Sequence, residues 1–290
     1  MNINKILVPV VFLEASLRVV QQAAYLARHF HSEIILLHVV TPTSYPAGIL
    51  EGGHEITARD LHAEIVRRAQ QDLDQILPPE LNGIAVRRLL LRGQPASEIV
   101  RTSRDENADL IVMSTHGHGP FYRLLLGSVT AKVLHECECP VWTGAHLEDA
   151  PAGEFALHNI LCAVDLSHHA RNTISRASQL AGEFGARLVI THITESAEIY
   201  GPGGSYVLPE MKEALVSNAT KEIAKLQQDV GTNADVIIES GDVRKLLSQV
   251  AERTKADLLV TGHTSIQSHL GANGNGYSLI RDARIPVLSV

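Results

Sequence analysis

Aromatic rings and sulfur are scarce in this sequence: Phe, Trp and Tyr make up 4% of 290 residues, with a single Trp, three Met and three Cys. A core without many large rings must be filled by branched and small aliphatic side chains, and the 45% of hydrophobic residues supplies them. Cys137, Cys139 and Cys162 are too few and odd in number for a disulfide framework, so a reducing cytoplasm is the expected setting. No dense Lys/Arg run occurs, and 32 acidic residues outnumber 25 basic ones, for a formal charge of -7. Nucleic acid is therefore not an expected partner, because affinity for it depends on clustered cations. No apolar run reaches the roughly 20 residues that a membrane helix needs, which removes the membrane as a partner too. The opening MNINKILVPVVF lacks the parts of a signal peptide and reads as the first strand of a domain.

What the chain does contain is a second copy of itself. Setting residue 5 against residue 159 aligns KILVPVV with NILCAVD, and the same offset aligns ILLHVV (35–40) with VITHIT (189–194). ADLIVMSTHG (108–117) matches ADLLVTGHTS (256–265), and CPVWTG (139–144) matches IPVLSV (285–290), at slightly smaller offsets. A period of roughly 150 residues is too long for a solenoid and fits a duplicated domain with shorter loops in the second copy. The joint falls in GAHLEDAPAGEFALHN, 144–159, which carries neither helical nor strand periodicity, so domains are expected at 1–146 and 157–290.

Short β-branched runs alternate with longer amphipathic ones in each half. Strands are expected at Ile3–Val10, Glu33–Val40, Ile84–Leu91, Asp109–Ser114 and Val141–Thr143, then at Ile160–Val164, Arg187–Ile193, Ala234–Glu239, Asp257–Thr261 and Pro286–Val290. Between those of the first half, EASLRVVQQAAYLARHF, ITARDLHAEIVRRAQQDLDQIL, PASEIVRTSRDE and SVTAKVLHEC have helical spacing. The fold class is α/β: two tandem, open, five-stranded and mostly parallel sheets with helices on both faces. After the second strand of each half comes a segment read as irregular, TPTSYPAGILEGGH and TESAEIYGPGGSYVLP, either a flap over a ligand or a plain surface connection.

The stretch STHGHGPFYRLLLGSVTAK, Ser114 to Lys132, joins the fourth strand to the next helix. Unpaired N–H groups at a helix start and the positive end of its dipole make an anion site. Gly127 removes the Cβ that would block a phosphate, Ser128 and Thr130 add hydroxyls, and Gly117 and Gly119 can fold the loop around a ligand. Alone, a Gly-Ser pair is an ordinary helix cap; its place at the ligand-binding edge of a parallel sheet favours a nucleotide.

At this point the chain resembles the universal stress proteins, over nearly its whole length and in a tandem arrangement of two such domains. The family signature is glycine, two residues, glycine, nine residues, then glycine and serine or threonine. Here Gly117, the nine residues HGPFYRLLL, Gly127 and Ser128 match it, with Ser114 where the first glycine would stand. RLLLGSVTAKVL and CPVW are similar to the family's helix start and final strand. The family often has proline, a small residue and aspartate after the first strand; here Pro9 matches and Val11 replaces the aspartate, giving an apolar wall in place of a hydrogen bond to ribose.

The resemblance implies a Rossmann-like, adenine nucleotide alpha hydrolase-like fold binding ATP or another adenine nucleotide, with or without magnesium. Adenine would lie against Pro9, Val10 and Val11, near Val39 and Met113, and the phosphates would meet Ser114, Gly117, Gly127, Ser128, Val129 and Thr130. The second half keeps Asp165 in CAVDLS and Gly262 with His263, but no Gly-Ser pair follows at nine residues and GANGNG stands instead, so its site reads as degenerate. The resemblance also implies an intramolecular pseudo-dimer through the final strands, with a homodimer of whole chains as a further option. The function so implied is that of a cytoplasmic stress-response sensor or switch with at most slow hydrolysis. The alternative is a nucleotide-independent scaffold for protein partners, in which Val11 and Ser114 mark lost binding.

No catalytic group is assigned: neither a Gly-x-Ser-x-Gly elbow nor a Walker lysine is present, and no acidic pair stands beside the loop to hold magnesium tightly. His116, His118 and His135 lie near Cys137 and Cys139, but Cys-x-Cys followed by proline is not a zinc spacing, and no metal is expected. His116, His118 and Arg123 can offset phosphate charge. His38 and His192 end equivalent strands and are read as packed, hydrogen-bonded side chains.

Overall fold

The computed structural model describes residues 2–12, 14–41, 58–76, 79–115, 126–144, 155–194, 198–201, 204–207, 209–263 and 275–290. The chain divides into two compact units, 2–144 and 145–290. The first runs β1 (Lys5–Pro9), α1 (Glu14–Phe30), β2 (Glu33–Val40), α2 (Ala58–Asp74), β3 (Val86–Arg92), α3 (Pro95–Asp105), β4 (Leu110–Ser114), α4 (Ser128–Glu136) and β5 (Val141–Gly144). Its strands pair in the order β5-β4-β1-β2-β3, and every pair is parallel. The chain builds outward from β1 to β2 and β3, then returns to the other side of β1 for β4 and β5. The order therefore reverses between β1 and β4, and the carboxyl ends of those two strands are where an open α/β sheet takes its ligand.

The core explains the assignment of strands. Ile6, Leu7 and Val8 of β1, Ile34 to Leu37 of β2 and Leu110 to Val112 of β4 are at most 1% exposed. Consecutive buried residues in a strand require cover on both faces, which helices supply. In α1 the buried residues Val19, Val20, Ala23, Ala24, Leu26 and Ala27 recur at helical spacing and form one stripe. Trp142 of β5 donates its indole N–H to Gln22 Oε1 of α1 at 2.9 Å, a buried polar contact that fixes α1 over this end of the sheet.

The second unit repeats the plan: β6 (Asn159–Ala163), α5 (Ala170–Phe184), β7 (Arg187–Thr194), a hairpin of β8 (Glu198–Gly201) and β9 (Gly204–Val207), α6 (Pro209–Val230), β10 (Asp235–Ser240), α7 (Val243–Thr254), β11 (Leu258–Thr261), α8 (Asn275–Asp282) and β12 (Val287–Ser289). Its parallel strand order is β10-β7-β6-β11-β12. Equivalent devices recur at equivalent positions. Asp109 Oδ2 accepts from the N–H groups of Asn4 (2.7 Å) and Lys5 (3.0 Å), and Asp257 Oδ2 accepts from those of His158 and Asn159 (2.8 Å each). Each carboxylate thus ties the start of the fourth parallel strand to the start of the first. Left-handed residues end matched helices, His31 with Gly185 and Asn107 with Lys255, and the chain then turns into the next strand.

The observed elements differ from the expected ones in two ways. The segment after β7, expected to be irregular, contains the β8–β9 antiparallel hairpin, with Gly201 paired to Gly204. EIYG and GSYV flank a two-residue connection containing proline and glycine, a hairpin pattern that outweighs the overall glycine content. Its counterpart in the first half, 42–57, lies outside the described residues. Strand ends also shift by one or two residues: β1 ends at Pro9, which has no N–H for the ladder, and β3 starts at Val86 because Gly83 (φ 78) and the Ile84 N–H to Leu81 carbonyl bond form a turn before it.

Candidate nucleotide site

The candidate site is built at the carboxyl edge of β1 and β4, where the strand order reverses. Pro9 ends β1 half-buried, and Val10 behind it is 3% exposed and donates its N–H to Leu37 O at 2.9 Å. Val11, half-buried, donates its N–H to Ser16 Oγ of α1 at 3.1 Å. On the neighbouring strand Met113 is 4% exposed and Ser114 is half-buried, and the register Leu7 to Ile111 carries on to place Pro9 level with Met113. Val39, also half-buried, lies on β2 on the far side of β1. These residues make an apolar wall with polar backbone at its rim.

The start of α4 is drawn against the end of β4. The N–H of Gly127 donates to Thr115 O at 2.9 Å, and Thr130 Oγ1 donates to Ser114 O at 3.0 Å. Thr130 is 3% exposed and its proton is spent on that carbonyl, so the hydroxyl expected to face phosphate works as a clamp between strand and helix. Gly127 is the N-cap, with no side-chain cap, and its carbonyl accepts from Ala131 N at 2.9 Å. By contrast, α7 is capped by Asp242, whose Oδ1 accepts from Lys245 N at 2.8 Å. The N–H groups of Ser128, Val129 and Thr130 lie in the first turn, where no helical carbonyl can take them. Ser128 is exposed, Gly127 and Val129 are half-buried.

The φ and ψ of Gly127 are −58° and 138°, a conformation open to any L residue. Backbone geometry therefore does not require glycine there. What glycine changes there is the absence of a Cβ beside the first-turn N–H groups. Gly117, Gly119, His116, His118 and Arg123 fall outside the described residues, so the structure brings together Pro9, Val10, Val11, Met113, Ser114 and Gly127 to Thr130, with Val39 one strand away.

Asp165 and Gly262 occupy the corresponding edge of the second unit, just beyond the ends of the adjacent strands β6 and β11. Asp165 Oδ1 accepts from Ser167 N at 3.0 Å, and Leu166 between them is left-handed at φ 58. The aspartate thus shapes the turn leading into α5, in the place where Val11 relies on Ser16. Gly262 is followed by His263, which is half-buried, donates its N–H to Val290 O at 2.8 Å, and has its imidazole pKa pushed down by burial.

Sequence reasoning missed Ser16, while the two strand-end histidines are hydrogen-bonded as expected, each to a backbone carbonyl that the sequence did not name. His38 Nδ1–H donates to Val10 O and His192 Nδ1–H to Val164 O, both at 2.8 Å, so each holds the segment that leaves the first strand of its unit. Phe12 packs on His38 with ring centroids 4.4 Å apart. Burial pushes the His38 pKa down, against a smaller upward pull from the Val10 carbonyl. The signal for this role was the repeated His at the same place in ILLHVV and VITHIT. Among the described residues, no three His, Cys, Asp or Glu side chains are grouped to hold a metal ion.

The model of the universal stress protein family matches residues 2–143 and again 156–290. The chain belongs to that family. It is a tandem universal stress protein, and the double match reproduces the internal repeat. It is 33% identical over 139 residues to universal stress protein MJ0531 of Methanocaldococcus jannaschii, covering 48% of this chain and 79% of that one. Universal stress protein MJ0577 of the same organism is 29% identical over 151 residues, 48% of this chain and 92% of its own length. The crystal structure of a universal stress protein from Archaeoglobus fulgidus superposes with a TM-score of 0.66 at 23% identity, over 99% of this chain and 95% of that one. That likeness carries the Rossmann-like α/β fold across both units. No helix among the described residues is long and apolar enough to cross a membrane.

Proposed function

We propose that the first unit of this universal stress protein binds ATP or a related adenine nucleotide, with or without magnesium, and acts as a cytoplasmic sensor or switch. The observation that carries this reading is the uncapped start of α4. Gly127 stands there without a conformational need for glycine, and two hydrogen bonds, Gly127 N–H to Thr115 O and Thr130 Oγ1 to Ser114 O, hold the first-turn N–H groups at the strand-order reversal. Such groups, with the helix dipole behind them, favour a phosphate. Half-buried Pro9 and Val11, backed by buried Val10 and Met113, supply an apolar surface of the kind a purine base stacks on. Val11 in place of a carboxylate favours a ligand held by its phosphates and base more than by its ribose.

The second unit is read as degenerate for nucleotide: Asp165 is engaged in its own turn. A second reading, a scaffold that binds partner proteins without nucleotide, is favoured by Val11 and Ser114. Denaturing the purified protein, chromatographing the supernatant and titrating ATP by calorimetry separates the two. Adenine absorbance or binding heat is expected, and an empty protein with no heat at millimolar ATP would leave the scaffold reading standing.

A further inference from the structure

Cys137 and Cys139 lie just beyond α4, away from the nucleotide edge. The helix ends at Glu136, and Cys137, its C-cap, donates its N–H to Val133 O at 2.9 Å but turns extended, with φ −84 and ψ 140. Two residues later, Cys139 returns its side chain to the same place, and the two sulfurs are 3.5 Å apart. Cys137 is 8% exposed and Cys139 is half-buried. Ser103 of α3 closes the cluster: its hydroxyl is 3.4 Å from Cys137 Sγ and 2.8 Å from Val100 O, with one proton to serve either. Arg104 of the same helix reaches Glu136 O and Glu138 Oε1, both at 3.2 Å, and so holds the strip that carries both cysteines.

The fold does not need these thiols. By the same internal alignment, the second unit makes this helix-to-strand connection with Ala283 and Ile285, and Ala251 replaces Ser103. Those three residues line a cavity of about 320 Å³ between α7 and α8, where the first unit has its sulfur cluster. Two thiols and a hydroxyl at one junction are therefore an addition to the shared architecture.

We propose that Cys137 and Cys139 are a peroxide-sensing dithiol that closes to a disulfide within the chain. The step balances without any further reactant. The Cys137 thiolate attacks one oxygen of hydrogen peroxide, the O–O bond breaks, and the product is a sulfenic acid on Cys137 with hydroxide, which takes up a proton to become water. Cys139, giving up its proton, attacks the Cys137 sulfur and expels the second oxygen as water. Two thiols are oxidised by two electrons and one peroxide is reduced to two waters. The sulfurs need approach by only about 1.5 Å to reach disulfide length.

The electrostatics agree with that order of events. A thiolate on Cys137 accepts a hydrogen bond from the Cys139 thiol and a second from Ser103; against the opposing cost of burial, this pulls its pKa below that of a free thiol. Cys139 is pushed up because it holds the shared proton. A free thiol near 8.5 is only a few per cent thiolate at neutral pH, and the thiolate is the nucleophile. Cys162, 0% exposed and pushed up to about 12 by burial, is an inert internal control.

The proposal rests on no part of the nucleotide reading. The test uses the full-length reduced protein, freed of reductant, treated with a few equivalents of hydrogen peroxide, then denatured, alkylated and mapped by mass spectrometry. The expected result is a Cys137–Cys139 peptide two hydrogens lighter, unalkylated, restored by dithiothreitol, with Cys162 fully alkylated. Cys139→Ser should leave Cys137 as a sulfenic acid captured by dimedone, and Ser103→Ala should slow native oxidation several-fold at neutral pH. The native chain should react at least tenfold faster than the urea-unfolded one. Thiols that both stay alkylatable, a disulfide joining two chains, or equal rates in native and unfolded protein would each overturn the proposal.

Discussion

Replacing Gly127 by Val separates a helix cap from a phosphate cradle, because the two roles predict opposite balances of stability and affinity. Glycine at this N-cap has φ −58 and ψ 138, which valine adopts without strain. Valine is a poorer N-cap than glycine by an amount of about 1 kcal/mol, but it also restricts the unfolded chain, which returns roughly 0.4–1 kcal/mol. The net change in folding stability is expected within about 1 kcal/mol. Nucleotide binding has more to lose: the added side chain stands in front of first-turn N–H groups whose bonds to a charged partner are worth about 1.5–3 kcal/mol each. Losing one or two of them costs about 3 kcal/mol, on the order of a hundredfold in Kd. Calorimetric titration with ATP reads the affinity. Urea unfolding followed by fluorescence reads the fold, since Trp142 is the only tryptophan and reports on the first unit. Unchanged affinity in a folded Gly127→Val protein would refute the assignment of the site to α4.

Three further outcomes follow from the same geometry. Asp109→Asn and Asp257→Asn should each lower the stability of their own unit by about 1–3 kcal/mol, because each removes a charged acceptor from two backbone N–H groups; denaturant midpoints unchanged in both variants would mean the bonds are weak. Gln22→Ala takes the acceptor from the buried Trp142 indole and should destabilise the first unit by about 2 kcal/mol, with a shift in Trp emission before unfolding; unaltered emission would contradict the bond. His38 has a folded pKa below its unfolded value, so the unfolded state binds the proton more readily and stability falls as pH drops through and below about 6.5. Its imidazole resonances should titrate below those of a free histidine in NMR spectra, and His38→Gln should flatten the acid limb of the stability curve; an ordinary titration would remove this contribution.

The duplication, the α/β class and the helix over Glu14–Phe30 were readable from local pattern alone, because continuous apolar strands and a 3.6-residue stripe each have one economical burial. The β8–β9 hairpin escaped notice because its signal lies in four residues on either side of a turn, inside a stretch whose glycines suggest disorder. The site was half readable. Gly127 and Ser128 stood out by spacing, whereas the role of Thr130 depends on the carbonyl of Ser114, sixteen residues earlier, and that of Ser16 on Val11. Sequence spacing lists the groups available to a ligand but not which of them the fold has already used.

Alone, then, the sequence determined the number of domains, their α/β class and the location of a glycine-marked helix start, since those follow from periodicity and repetition along one chain. Tertiary structure decided which donors remain at that start, that Asp165 is occupied by its own turn, and that two cysteines come within 3.5 Å beside a serine from another helix. Hydrogen bonds and thiolate chemistry depend on distances of a few tenths of an ångström, set by the backbone turn for near neighbours and by helix packing for Ser103 and Cys137.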